Sequence, residues 1–171
     1  SLKSLHPSIG RLQALEELGL GYTVKLTSLP EEIGNLGSLI KLSLTDSGIT
    51  SLPPSIGRLR SLKELDLTGT KKLTKLPKEI GDLGSLIKLS LEYSAVTSLP
   101  PSIGRLRSLE ELDLTGTKKL TSLPEEIGNL GSLIKLSLRC SAIRSLPPSI
   151  GRLRSLEELD LDETRELTSL P

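Results

Sequence analysis

Few residues in this 171-residue chain are suited to bond-making chemistry. His6 is the single histidine and Cys140 the single cysteine. A histidine general base needs a partner within hydrogen-bond reach, and a structural zinc site needs a set of Cys and His ligands. Neither can be assembled from one of each, and a lone cysteine leaves no intrachain disulfide. Carboxylate pairs such as Glu110-Glu111 recur along the chain, which marks them as scaffold rather than a general acid–base site. The glycines recur after isoleucine and never form a phosphate loop ahead of a Lys-Ser/Thr pair. The expectation is therefore no enzyme: no catalytic, cofactor-binding or metal-binding residue, and no cofactor. The chemistry that remains is recognition by surface charge and shape.

The elements that position such a surface follow from internal repetition. Ile-Gly-x-Leu begins at Ile9, Ile33, Ile56, Ile80, Ile103, Ile127 and Ile150, in steps that alternate between 24 and 23 residues. The unit is thus a 47-residue pair, and residues 52–98 and 99–145 differ at only eight positions. Each repeat carries L-x-x-L-x-L, as in Leu62, Leu65 and Leu67. The last two leucines are two apart, so they share one face of a strand. A Leu-Pro step follows, as at Leu52-Pro53-Pro54. Proline lacks a donor and fixes φ, so the chain leaves the sheet there. The return segment, such as residues 55–59, is too short for an independent helix. One unit cannot bury its leucines, but stacked units can. With no Phe, Trp or Met and only two tyrosines, leucine must supply nearly all the core. The predicted fold is α/β: a right-handed β-α solenoid, or horseshoe. It has a parallel sheet on the concave face and short 3₁₀ or single-turn helices on the convex face. Seven strands give a sheet roughly 30 Å wide. Residues 1–171 read as one domain of about seven repeats with both ends uncapped, cut from something longer. Uncapped layers predict end-to-end self-association.

Charge is patterned across this sheet. The residue before each strand's middle leucine is Glu17, Lys41, Glu64, Lys88, Glu111, Lys135 and Glu158 in turn. Adjacent strands therefore set opposite charges side by side. One reading is a self-neutralising ladder and the other an electrostatic docking stripe; local cancellation favours the ladder. Ile40, Ile87 and Ile134, one position earlier, read as partly buried packing residues or as partner anchors. The convex side gathers Arg11, Arg58, Arg105 and Arg152 among glutamates such as Glu32, Glu79 and Glu126. Without interleaved aromatics or a one-sign face this is a solvated surface. With a net charge of +1, no nucleic-acid partner is expected. No apolar run approaches transmembrane length and no signal-peptide pattern is present, so no membrane partner is expected either. Asn35 and Asn129 begin no glycosylation sequon. These features favour a reducing, cytoplasmic setting.

Comparing the two near-identical copies points to an epitope. Four of the eight differences fall just after the strand: Glu92 against Arg139, Tyr93 against Cys140, Val96 against Ile143 and Thr97 against Arg144. The valine-to-isoleucine exchange points inward. The others change charge or shape on an exposed rim. Tyr and Arg are enriched at interface hot spots. The candidate partner-binding residues are Glu92, Tyr93, Arg139, Cys140 and Arg144, with neutral drift at a tolerant surface as the competing reading.

L-x-x-L-x-L resembles the leucine-rich-repeat signature, and the match covers essentially the whole chain. That family places Asn three residues after the last strand leucine, where its amide bonds neighbouring backbones. Here the position holds Thr23, Ser47, Thr70, Ser94, Thr117, Ser141 and Thr164. A hydroxyl has one donor where an amide has two, so the resemblance implies a ladder with fewer bonds. Residues 120–133, LTSLPEEIGNLGSL, resemble intracellular repeats. Residues 114–120 alternating with 138–143 are similar to plant nucleotide-binding immune receptors of the Toll/interleukin-receptor class. They are similar also to cytoplasmic Ras-scaffold repeat proteins, which keep a steadier period. The resemblance implies a protein-recognition scaffold, the sensing or regulatory module of a larger intracellular protein. The near-identical copies keep open a designed consensus array without a natural ligand.

Overall fold

The computed structural model describes residues 2–171. Seven three-residue strands, β1 Glu17–Gly19, β2 Lys41–Ser43, β3 Glu64–Asp66, β4 Lys88–Ser90, β5 Glu111–Asp113, β6 Lys135–Ser137 and β7 Glu158–Asp160, form one sheet in chain order. Every pairing is parallel, and the register sets Lys41 opposite Glu17 and Glu64, and Leu42 opposite Leu18 and Leu65. Seven five-residue 3₁₀ turns run along the other side, from Pro7–Arg11 to Pro148–Arg152. Proline begins the turns at Pro7, Pro54, Pro101 and Pro148, where its missing N–H costs nothing. The expected horseshoe layers are therefore present, with 3₁₀ turns in place of longer helix. His6 is ordered as the cap of the first turn, its Nδ1 accepting the Ser8 N–H at 3.1 Å.

The core is a stack of leucine and isoleucine layers. Leu42, Leu44, Leu65, Leu67, Leu89 and Leu91 bury the inner face of the strands, and Ile33, Ile56 and Ile80 close it from the turns. The outer layers are more open, with Leu12 and Leu159 partly in solvent. Each middle turn packs directly on the next. A Cβ on Gly81 would lie 2.2 Å from the Ser102 carbonyl oxygen, so only glycine allows this approach.

The difference between 24- and 23-residue repeats falls just after the strand. After β3 the chain runs Thr70-Lys71-Lys72-Leu73, and after β4 it runs Ser94-Ala95-Val96. Leu73 and Val96 are both fully buried, so the extra residue bulges outward as a lysine pair. The same contrast separates Lys118-Lys119 from Ala142.

The side-chain ladder expected at Thr23, Ser47 and their equivalents is not formed. Thr70 and Thr117 donate to the carbonyls of Leu67 and Leu114 in their own repeat, each at 2.7 Å. Ser47, Ser94 and Ser141 have buried hydroxyls without a partner. The threonine hydroxyl, with one donor, spends it on its local turn, and the serine hydroxyl makes no bond in either repeat. Backbone bonds take over between repeats: the Gly48 N–H donates to the Thr23 carbonyl at 3.1 Å, and Ala95 to Thr70 at 3.3 Å.

Candidate functional site

Two surfaces flank the strands: the concave face itself, and the flank where the chain leaves it. On the concave face the charge column pairs internally. Lys41, Lys88 and Lys135 donate to Glu64, Glu111 and Glu158 at 2.8, 2.9 and 2.8 Å. The ladder is thus three discrete pairs, each lysine joined to the following strand. The bond to Glu64 raises the pKa of Lys41, and that to Glu158 raises Lys135. At Lys88 the bond to Glu111 raises the pKa against an opposing pull from burial. Ile40 and Ile87 lie half-buried beside this column, and Ile134 is exposed and lines a concave depression with Lys135, Glu111 and Glu158.

The next concave column holds Asp66, Asp113 and Asp160 alternating with serines. The Thr45 hydroxyl reaches Asp66 at 2.8 Å, and the Thr68 hydroxyl meets Ser90 at 2.9 Å. Side-chain hydroxyls thus bond between repeats here, and not at the expected ladder positions. Burial pushes the Asp66 carboxyl up, but bonds from Thr68, Thr45 and Ser43 outweigh it and hold the pKa below the usual value. Glu92 shares this trough with Asp66, Asp113 and Lys88. Burial raises its pKa, and repulsion by Asp113 and Asp66 adds to the shift.

Past the strand, every repeat turns through a residue at positive φ. Gly69 and Gly116 take this position at 69° and 67°, where glycine meets no steric penalty. Tyr22, Asp46, Tyr93, Cys140 and Glu163 take it at 51–58°. An L-residue there is strained by roughly 1–2 kcal/mol. Tyr93 and Cys140, singled out by sequence comparison, are thus structurally equivalent. Their backbones are held by the Thr115 and Asp162 carbonyls at 2.8 and 2.9 Å.

The five candidate residues do not form one patch. Glu92 faces the concave trough. Tyr93 is 53% exposed and lines a shallow flank groove of about 380 Å³ between Lys71 and Lys118. Arg139 is exposed and pairs with Glu163 at 3.4 Å. Cys140 is partly buried, and its carbonyl accepts from Lys118 Nζ. Arg144 lines a second flank groove of about 600 Å³ with Lys118, Ser141 and Glu163. Lys118 joins the two grooves, so Tyr93 and Arg144 share a flank while Glu92 looks the other way. Lys71, Lys118 and Lys119 were not among the residues singled out. Their signal was the Lys-Lys pair recurring 47 residues apart, at the one point where repeat lengths differ.

Among the described residues, no group of three or more His, Cys, Asp or Glu could hold a metal ion. Among the described residues no helix is long and apolar enough to cross a membrane.

Residues 3–90 match the family described as leucine-rich repeat region, and residues 107–165 that described as leucine rich repeat. No curated protein sequence matches the chain. Among solved structures, a leucine-rich-repeat protein of Leptospira interrogans is 32% identical with a TM-score of 0.62, over 99% of this chain and 58% of that one. A plant peptide hormone receptor in complex with RGF2 is also 32% identical, with a TM-score of 0.69, over 92% of this chain and 30% of that one. The repeat domain of the type III effector XopL is 24% identical with a TM-score of 0.62, over 93% and 73% of the two chains, and shows the fold alone. The chain thus spans 58% and 30% of the first two proteins. The seven-layer leucine core, its parallel sheet and both sequence matches lead to one conclusion: the chain belongs to the leucine-rich-repeat family, whose fold generally serves as a protein–protein interaction scaffold.

Proposed function

We propose that this chain is a protein-recognition module of a larger cytoplasmic protein, and that it binds its partner along the exit flank. The observation that carries this reading is Tyr93. A 53% exposed aromatic stands in a strained turn where the neighbouring repeats use glycine. Strain kept at an exposed position points to use of the side chain. Arg144 lies on the same flank one repeat pair later, and Arg139, paired with Glu163 of that flank, and Cys140 extend the candidate epitope. Glu92 marks its border with the concave trough. The repeat pattern and its 24/23 alternation favour a sensing module of the immune-receptor type over a Ras-scaffold type. A peptide-bound plant receptor of the same fold supports a peptide or protein ligand.

Panning a phage-displayed random peptide library on the immobilised chain tests this. Selected peptides should lose affinity on Tyr93→Ala and on Arg139→Ala, by roughly 1–3 kcal/mol each if these are hot spots. Arg58→Ala on the convex side should leave binding unchanged. Equal losses on both faces would refute the epitope. A second reading, a consensus array without a ligand, draws on the eight-position difference between residues 52–98 and 99–145. Panning that enriches nothing would favour it.

A further inference from the structure

The recognition reading leaves the chemistry of the partner open, and the flank groove at Tyr93 narrows it. Lys71 stands on one side of the groove, Lys118 and Lys119 on the other, and Ser94 and Ala95 lie between them. No carboxylate lines it. None of the three lysines is within ion-pair distance of an acid among the described residues. Lys118 spends one donor on the Cys140 carbonyl. Ser94 is only 5% exposed, and its hydroxyl has no partner. Three ammonium groups around a short trough make a local field that the +1 chain does not balance there.

The other charged recesses hold residues of both signs, and two on the concave face carry more carboxylates than lysines. On the concave face each lysine has its glutamate. In the second flank groove Lys118, Arg144 and Arg165 face Glu163 and Glu166. The repeat pair before differs at this point. There the position of Tyr93 is held by Asp46, whose carboxylate lies over Gly69 just as the Tyr93 ring lies over Gly116. One turn carries its own anion, and its counterpart carries an aromatic wall beside free cations.

Resting on the recognition reading, we infer that the Tyr93 groove binds an acidic segment of a protein partner. Its carboxylates sit between Lys71 and the Lys118-Lys119 pair, and an apolar side chain lies on the Tyr93 ring. An extended peptide fits because the floor residue is alanine and the groove follows the gap between two lysine bulges. Nucleic acid fits less well, since one tyrosine offers no row of stacking platforms and no basic face continues beyond the groove.

The test uses the full chain and defined probes in fluorescence polarisation. One fluorescein-labelled peptide carries glutamates and one phenylalanine. A second has glutamine at every glutamate, and a third has lysine. The acidic probe should bind, the glutamine probe at least about tenfold more weakly and the lysine probe not at all. Raising salt from about 50 to about 300 mM should weaken the acidic probe further. Lys71→Glu with Lys119→Glu should reduce its affinity about tenfold, and Tyr93→Ala severalfold. Arg58→Glu with Lys78→Glu makes the same net charge change on the convex side and should alter affinity less than about twofold. All these positions are exposed, and thermal melts confirm that each variant is folded. Equal losses from both double variants, no binding of the acidic probe, or stronger binding of a thymidine oligonucleotide would overturn the inference. Panning that yields non-acidic binders mapped elsewhere would remove this inference and leave the recognition reading standing. Panning that yields none would remove both.

Discussion

The concave face and the exit flank carry similar residues to opposite ends. On the concave face Lys41, Lys88 and Lys135 each meet a glutamate at under 3 Å, in a register that the hydrogen-bonded strands impose. On the flank Lys71 and Lys119 have no such partner among the described residues. The difference is one of backbone. A strand lattice sets side chains side by side at about 5 Å, where opposite charges settle each other. A bulge of one extra residue, present only in alternate repeats, puts charges where no lattice neighbour can answer them. The regular lattice therefore gives each of its lysines a glutamate, and the lysines of the irregular step are left to interact with something else.

The largest expected effect lies in the scaffold behind both regions. Gly81→Ala would drive a Cβ into the Ser102 backbone and separate two layers, costing about 3 kcal/mol. Gly84→Ala has open space and should fall within about 0.5 kcal/mol of the parent in denaturant melts. Equal costs at the two positions would mean that the layers are not held by this contact.

On the flank, stability and recognition should separate. Tyr93→Gly relieves the positive φ and should raise stability by up to about 1 kcal/mol, after the extra chain entropy of glycine is subtracted. The same change should weaken peptide binding severalfold, as Tyr93→Ala does. A variant that loses stability would show that the ring is a packing element rather than a presented one.

On the concave face, a double-mutant cycle on Lys88→Ala and Glu111→Ala should give a coupling of about 0.2–1 kcal/mol, reduced by salt. The same cycle on Glu64 and Lys88 should give less, because that pair is not within bonding distance although the two are register partners. Equal couplings would restore a continuous ladder.

The smallest effects are acid titrations within the trough, and they have opposite signs. Glu92 has a raised pKa in the fold, so its ionisation costs stability above the ordinary carboxylate range, about 4, and costs nothing once both states are protonated. Glu92→Gln should therefore raise the melting temperature slightly at neutral pH and not at about pH 3. Asp66 has a lowered pKa, so its contribution is present above the ordinary range and lost as pH falls through the folded value. Asp66→Asn should lower the melting temperature at neutral pH and converge on the parent in acid.

Much of this architecture is readable from residue spacing. Leu65 and Leu67 announce a strand face, Pro53-Pro54 an exit, and the Glu64–Lys88 alternation a register that the sheet keeps. What spacing does not reveal is how a side chain divides its bonds. Lys88 has a glutamate on either side and takes only Glu111. Thr70 closes its own turn instead of reaching the next repeat. The positive φ at Tyr93 and Cys140 is also hidden, because glycine signals that backbone only at Gly69 and Gly116. The groove escapes for a related reason: Lys71 and Lys118 are far apart in sequence, and it takes the stacking of three repeats to set them on opposite sides of Ala95.

The contrast between settled and free lysines can be measured on one sample. Limited acylation with an acetyl succinimidyl ester at mildly alkaline pH, followed by peptide mass spectrometry, ranks the lysines by reactivity. Lys41, Lys88 and Lys135, bonded and with raised pKa, should react slowest, and Lys71 and Lys119 among the fastest. Concave lysines that react as fast as Lys71 and Lys119 would contradict the division of the surface into a face whose lysines are paired and a flank whose lysines are open.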